Sequence, residues 1–216
     1  MKLKQEISLI LIVILPLLYV SYVWNLIPET VPIHWNVKGE IDKYGNKITH
    51  LLIISLLPVF VYALFLIMVK IDPKKKLDKM GNKFQKLKFL LVVIFSTLSI
   101  CLIYFTKNQS PLNPNYIFFL IGVLFIILGN YSKTLKPNYF LGIRTPWTLE
   151  SESVWIKTHK IGGILMFIGG FSVAFFSLIL SAQFNWKFLL IVIGIISILP
   201  ILYSFYIFKK ESPISN

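Results

Sequence analysis

Two stretches of this 216-residue chain carry side chains able to do chemistry. The first runs from Ile27 to Lys47 and holds Pro28, Pro32, His34, Trp35, Asn36, Gly39, Glu40, Asp42, Tyr44 and Gly45, with His50 close behind. The prolines make its entry extended, the glycines permit tight turns, and His34, Glu40, Asp42 and His50 are groups able to hold a cation. Their spacing fits no zinc pattern, and calcium would call for more oxygen ligands. The expectation is therefore a surface for a ligand or partner, with no metal. The second stretch, Asn130 to Gly163, contains Arg144, the only arginine among 22 basic residues. A guanidinium offers a planar fork for bidentate pairing or aromatic stacking, so a lone arginine among lysines suggests a geometric need. Asn138, Gly142, Thr145, Pro146 and Trp147 surround it, and Thr148 is placed to cap a short helix with Glu150 and Glu152 in its first turn. Trp155 and His159, four residues apart, share one face of such a helix. Neither His34 with Asp42 nor Arg144 with His159 comes with a nucleophile, an adjacent base and a third orienting group. The chain reads as a non-enzyme without a cofactor.

The elements that must position these stretches are membrane helices. Hydrophobic residues make up 56% of the chain and charged ones 14%, a balance no soluble core needs. Six runs without Lys, Arg, Asp, Glu or His appear, at 7–26, 51–69, 89–106, 115–131, 161–183 and 188–208. Each approaches or exceeds the roughly 20 residues that span a bilayer, and in lipid such runs must close their own backbone hydrogen bonds as helices. The fold expected is all-α and polytopic, with six transmembrane helices. The first run follows a basic start but is too long for a signal peptide and lacks a small-residue cleavage site, so it reads as an uncleaved helix. Pro16, Pro58 and Pro200 fall inside runs and predict kinks. All five tryptophans fall near run ends, where headgroups would hold them. Cys101, inside the third run, reads as a small apolar residue.

With the N-terminus inside, the inner segments hold 17 Lys and Arg and the outer loops 5. That asymmetry places both termini in the cytoplasm, the His34 loop outside and the Arg144 loop inside. It also accounts for the formal charge of +13 without any nucleic acid. The lysine-rich segment 71–88 divides the chain into a two-helix N-terminal half, 1–70, and a four-helix half, 89–216. Leu77, Met80, Phe84 and Leu87 recur there at helical spacing, as in a helix lying flat on an anionic leaflet. No internal repeat of the kind found in secondary transporters is visible.

At these two loops the chain resembles the SdpI family of membrane immunity proteins. The outer segment, with Ile27, Pro28, Pro32, Ile33, His34, Trp35, Asn36, Gly39, Asp42, Tyr44 and Gly45, is similar to a domain of unknown function that often precedes the SdpI region. The inner one, Pro137-Asn138-Tyr139, Gly142 through Thr148, Val154-Trp155 and Thr158-His159, looks like the family signature almost without departure. The resemblance implies a multi-pass protein of the bacterial cell membrane that gives immunity to a secreted peptide toxin met on the outer face. For the founding member it also implies sequestration of a cytoplasmic repressor on the inner face. A small-solute or ion transporter or channel is the second reading: ionisable groups are missing from the runs, but a pore lined by Ser96, Thr97, Ser99, Ser172 and Ser177 survives that objection. A membrane-embedded metal-dependent hydrolase is the third.

The charge count makes one direct prediction. A cysteine replacing Asn36 in a Cys101→Ser background should react with an impermeant maleimide in intact cells, and absence of labelling would require an inverted topology or a covered loop.

Overall fold

The computed structural model describes residues 3–73 and 75–211. Helix α1 (Leu3–Val23) ends in a 3-10 turn and leads into two strands, β1 (Thr30–Trp35) and β2 (Ile41–Asn46). Then follow α2 (Lys47–Ile71), a 3-10 turn at Asp78–Met80, α3 (Asn82–Asn108), α4 (Pro114–Ser132), the short α5 (Pro146–Glu150), α6 (Glu152–Ser177) and α7 (Ala182–Glu211). All helices but α5 are long and apolar enough to cross a bilayer, and the protein is a multi-pass membrane protein of six spans. Among the described residues the only strands are those of the antiparallel β1–β2 hairpin. The polar residues at helix starts are caps. Asn46 Oδ1 accepts from Thr49 N at 3.1 Å, and Asn113 precedes Pro114 at the first position of α4.

The spans pack as two groups of three. Helices α1, α2 and α3 form one, α4, α6 and α7 the other, with α3 touching α4 between them. This moves α3 out of the four-helix half that the lysine-rich segment suggests, for a reason visible in its apolar residues. Leu77, Met80, Phe84 and Leu87 are buried together with Leu9, Val13 and Phe65, the Phe65 and Phe84 rings standing 5.2 Å apart. They do not lie on a leaflet; a stripe beside an open seam between α1 and α2 buries more apolar surface in it. At the same end Lys88, almost wholly buried, donates to Glu6 Oε1 at 2.8 Å, and the Tyr62 hydroxyl donates to Glu6 Oε2 at 2.9 Å. Both charges sit just beyond the uncharged runs that end at them, and each satisfies the other.

Serines serve the packing. Ser96 Oγ donates to Ile12 O at 3.0 Å and Ser99 Oγ to Ile54 O at 2.6 Å, tying α3 to α1 and α2. Ser172 and Ser177 donate within α6, and Thr97 faces outward. Ser96 and Ser99 thus act as contacts between helices, the commoner role of a serine on a membrane helix.

In the second group glycines set the spacing. A Cβ on Gly170 would stand 2.6 Å from Gly122 O and 2.7 Å from Ile126 N; one on Gly129 would stand 2.5 Å from Phe167 N and 2.6 Å from Gly163 O. Gly122 and Gly129 on α4 therefore meet Gly170 and Gly163 on α6, backbone against backbone, in antiparallel order. Gly162 and Gly169 turn the neighbouring face of α6 to α7, where a Cβ would meet Pro200 at 3.5 Å and Val192 at 2.7 Å. Lipid gives apolar helices no hydrophobic reason to associate, so this close approach carries much of the association.

Gly170→Ala should accordingly lower the thermal midpoint of the detergent-purified protein, by the equivalent of about 1–3 kcal/mol for an overpacked contact. Gly194→Ala, with open space around its Cβ, should leave the midpoint unchanged or slightly raised by helix propensity. Equal midpoints for the two would mean that glycine spacing does not hold α4 to α6.

Candidate functional site

The hairpin that carries His34 is pinned to the loop between α3 and α4. Its strands pair from Thr30 with Asn46 to Trp35 with Ile41, and irregularities on either side of His34 break the ladder there. The turn is shaped by Asn36, whose Oδ1 accepts from Lys38 N at 2.8 Å and Glu40 N at 3.1 Å while its Nδ2 donates to Glu40 Oε2 at 2.9 Å. Gly39 adopts φ +83°, and a Cβ there would stand 1.9 Å from Leu112 O. Only glycine lets the turn lie this close, and Leu112 N donates to Gly39 O at 3.0 Å. Trp35 Nε1 donates to Ser110 O at 3.1 Å and Gln109 Nε2 to Thr30 O at 3.3 Å. Lys38 is exposed at the tip, so it carries a labelling cysteine with less disturbance than Asn36.

At the hairpin base Lys47, nearly buried, lies 3.6 Å from Glu29 Oε1 and 4.4 Å from the Trp24 ring centre. Pro32 is buried opposite the exposed Tyr44. His34 Nδ1 and Asp42 Oδ1 are 2.5 Å apart on the exposed side, where such a pair orients the imidazole and the carboxylate more than it stabilises the fold. His50 Nε2 is 3.1 Å from Thr106 Oγ1, so it does not join them. Among the described residues no three His, Cys, Asp or Glu side chains gather. What the hairpin does enclose, with α2 and α3, is a groove of about 550 Å³. Ile33, Ile53, Ile54 and Leu102 give it an apolar wall, and His34, Trp35 and His50 give it a polar rim. An apolar or amphipathic chain segment fits such a surface.

The Arg144 loop, at the lysine-rich end, is built around one imidazole. His159 Nε2 accepts from Ile143 N at 2.9 Å and Nδ1 stands 2.8 Å from Trp155 O. A ring that accepts at Nε2 carries its proton on Nδ1 and donates it to that carbonyl. The ring stacks on Trp155 at 4.0 Å between centres, and both side chains are buried, as their shared face requires. Trp155 is thus no headgroup anchor; its Nε1 donates to Leu135 O at 2.7 Å. Ser132 Oγ donates to His159 O at 3.1 Å, closing the helix ends. Gly142 has φ +111°, and a Cβ there would meet His159 Nε2 at 2.3 Å.

Asn138, buried, folds the loop's entry: its Oδ1 accepts from Phe140 N and Leu141 N at 2.8 and 2.7 Å, and its Nδ2 donates to Lys136 O and Leu141 O. The cap of α5 is Thr145, not Thr148. Thr145 Oγ1 accepts from Thr148 N while Thr148 Oγ1 accepts from Thr145 N, a reciprocal box in which Thr148 takes the place usually held by Glu. Pro146 follows at the first helical position, and Thr145 Oγ1 also reaches Ser204 Oγ on α7 at 3.0 Å. Trp147 packs on Phe205 at 5.0 Å between ring centres. Glu152 begins the next helix, capped by Ser151. Arg144 itself is exposed and donates through Nη1 to Tyr139 O. This main-chain contact anchors one arm of its guanidinium to the loop's entry.

His159 has both ring nitrogens committed to backbone groups, so using it as a base would dismantle the loop, and His34 with Asp42 has no nucleophile among its contacts. Sequence reasoning singled out the hairpin and the loop but missed what they rest on: Gln109, Ser110 and Leu112 under the one, Ser132, Leu135 and Ser204 under the other. Only the Asn113-Pro114 helix start hinted at an ordered turn between α3 and α4.

Comparison with known proteins agrees with both stretches. Residues 134–204 match the SdpI/YfhL protein family, and residues 11–58 match a domain of unknown function, DUF1648. Over 207 residues the chain is 25% identical to the immunity protein SdpI of Bacillus subtilis (strain 168), covering 96% of this chain and 97% of that one. No solved structure matches.

The single arginine makes an arginine-specific protease a reporter of the loop. Cleavage at Arg144 in detergent should be several-fold faster in Gly142→Ala and His159→Leu than in the wild type, since either change removes the bond that holds Ile143. Equal rates in all three would mean that the loop does not rest on the imidazole.

Proposed function

We propose that this multi-pass bacterial membrane protein, built from a DUF1648 region and an SdpI/YfhL region, is an immunity protein. In this reading it shields its cell from a secreted peptide toxin. The observation that carries this is the likeness to an immunity protein along nearly the whole of both chains, spanning the hairpin end and the Arg144 end alike. The lysine count supports a cytoplasmic location for both termini, with the hairpin outside. The toxin, a membrane-active peptide, would then meet the apolar groove under the hairpin, with His34, Trp35, Asp42 and Tyr44 around its entrance. On the inner face the exposed Arg144, Tyr139 and Glu150 form the surface a cytoplasmic repressor would use. The partner surface is protein-binding, and nucleic acid is not contacted directly.

The test is survival of a sensitive bacterium exposed to a sporulation-delaying-type peptide, with variants expressed at matched membrane levels. Wild type should protect. Thr49→Trp, which fills the groove from an exposed position, should lower the tolerated dose by roughly tenfold, the loss of one well-packed contact. Arg144→Lys should keep toxin tolerance while impairing the signal to the cytoplasmic partner. Full protection by the groove-filled variant would remove the groove from the mechanism, and no protection by the wild type would sink the immunity reading for this toxin class.

A further inference from the structure

We infer that the lysine-rich ends of α6 and α7 form a binding site for the phosphate headgroup of an anionic glycerophospholipid. Between these helix ends lies an open cleft of about 490 Å³. Lys157 and Lys160 line it from α6, and Lys210 lines it from α7. Glu211 is the only carboxylate in its wall, and it is already taken as the acceptor of the Lys157 ammonium. Three ammonium groups, Lys157, Lys160 and Lys210, therefore share one concavity with a single carboxylate, which lies against both Lys157 and Lys210, and the excess positive charge favours entry of an anion. Chain geometry says which anion. One helical step deeper the same cleft is lined by Ile161 and Ile207, and Tyr203 adds a hydroxyl at that boundary. The same faces continue into the membrane as the exposed Ile164 on α6 and Leu199 on α7. A cationic rim over an apolar floor that runs on into lipid matches a molecule with a phosphate joined to acyl chains, where a free anion would leave the floor empty. Helix α6 brings the lysines there because Gly162 seats it against Pro200 of α7.

The experiment uses the full chain in detergent, offered equimolar phosphatidylglycerol and phosphatidylcholine, with bound lipid counted by native mass spectrometry. The wild type should retain phosphatidylglycerol preferentially. Lys160→Gln with Lys210→Gln should cut that retention by roughly 25-fold, at about fivefold for each lysine near a phosphate. Glu211→Gln frees Lys157 and should raise retention, a change in the opposite direction that misfolding would not produce. Lys133→Gln with Lys136→Gln removes the same charge elsewhere at this end and should change little. Unchanged retention in the first double variant, an equal loss in the control pair, or no gain in Glu211→Gln would each overturn the site. Full competition by inorganic phosphate would assign the cleft to a free anion instead.

Discussion

The distance between α4 and α6 governs the rest of this molecule. Gly122 and Gly129 let α4 touch the backbone of α6 at Gly170 and Gly163, and no other residue leaves room for it. Because the helices are this close, the segment that joins them at the lysine-rich end has to fold on itself. The hydroxyl of Ser132 reaches His159 O, Trp155 reaches Leu135 O, and the loop between them closes over the imidazole. Gly162 then leaves space for Ile143 and for Pro200, so α7 is drawn in by the same device and Ser204 meets Thr145. Interhelical hydrogen bonds in membranes are worth only about 0.6 kcal/mol each on average. It is the van der Waals contact of bare backbones that keeps the polar network in register.

The hairpin end follows the opposite logic. There the contacts are between loops, at the level where water competes, and they are numerous because each is weak. Gly39, Trp35 and Thr30 each engage a different residue between Gln109 and Leu112, so a unit inserted between α1 and α2 is held by the far end of α3. At the other end Tyr131, Leu135, Phe140 and Leu141 pack against the cluster of Leu77 and Phe84, so the two groups of three helices are tied at both ends of the bundle.

The six spans were legible because lipid demands long uncharged runs, and they were read short for the same reason. Helix α2 starts at Lys47, α3 at Asn82 and α6 at Glu152, well before their apolar runs begin at Leu51, Phe89 and Ile161. Counting stops at the first charge, whereas a helix continues wherever headgroups, water or a partner can take that charge, as Glu6 takes Lys88. The strands were hidden by Pro28, Pro32 and the broken ladder around His34, which erase a simple alternation. Membership of α3 in the first group was hidden by lysines around Leu77 and Phe84 that look like a linker. His159 and Trp155 were readable as a shared face, since that needs only the helical period. Their partners Ile143 and Leu135 were not, because nothing local marks a main-chain group as the far end of a bond. Arg144 stands out in the sequence by its rarity, but its contact does not, since a backbone carbonyl leaves no trace in residue type.

Gly142 also has a genetic reading. A glycine codon altered at one base either stays silent, or becomes a stop, or encodes a residue that bears a Cβ. At this position any such atom falls on the ring nitrogen that holds the loop. The codon therefore has no neighbouring allele of intermediate effect, and drift in this loop must go around it.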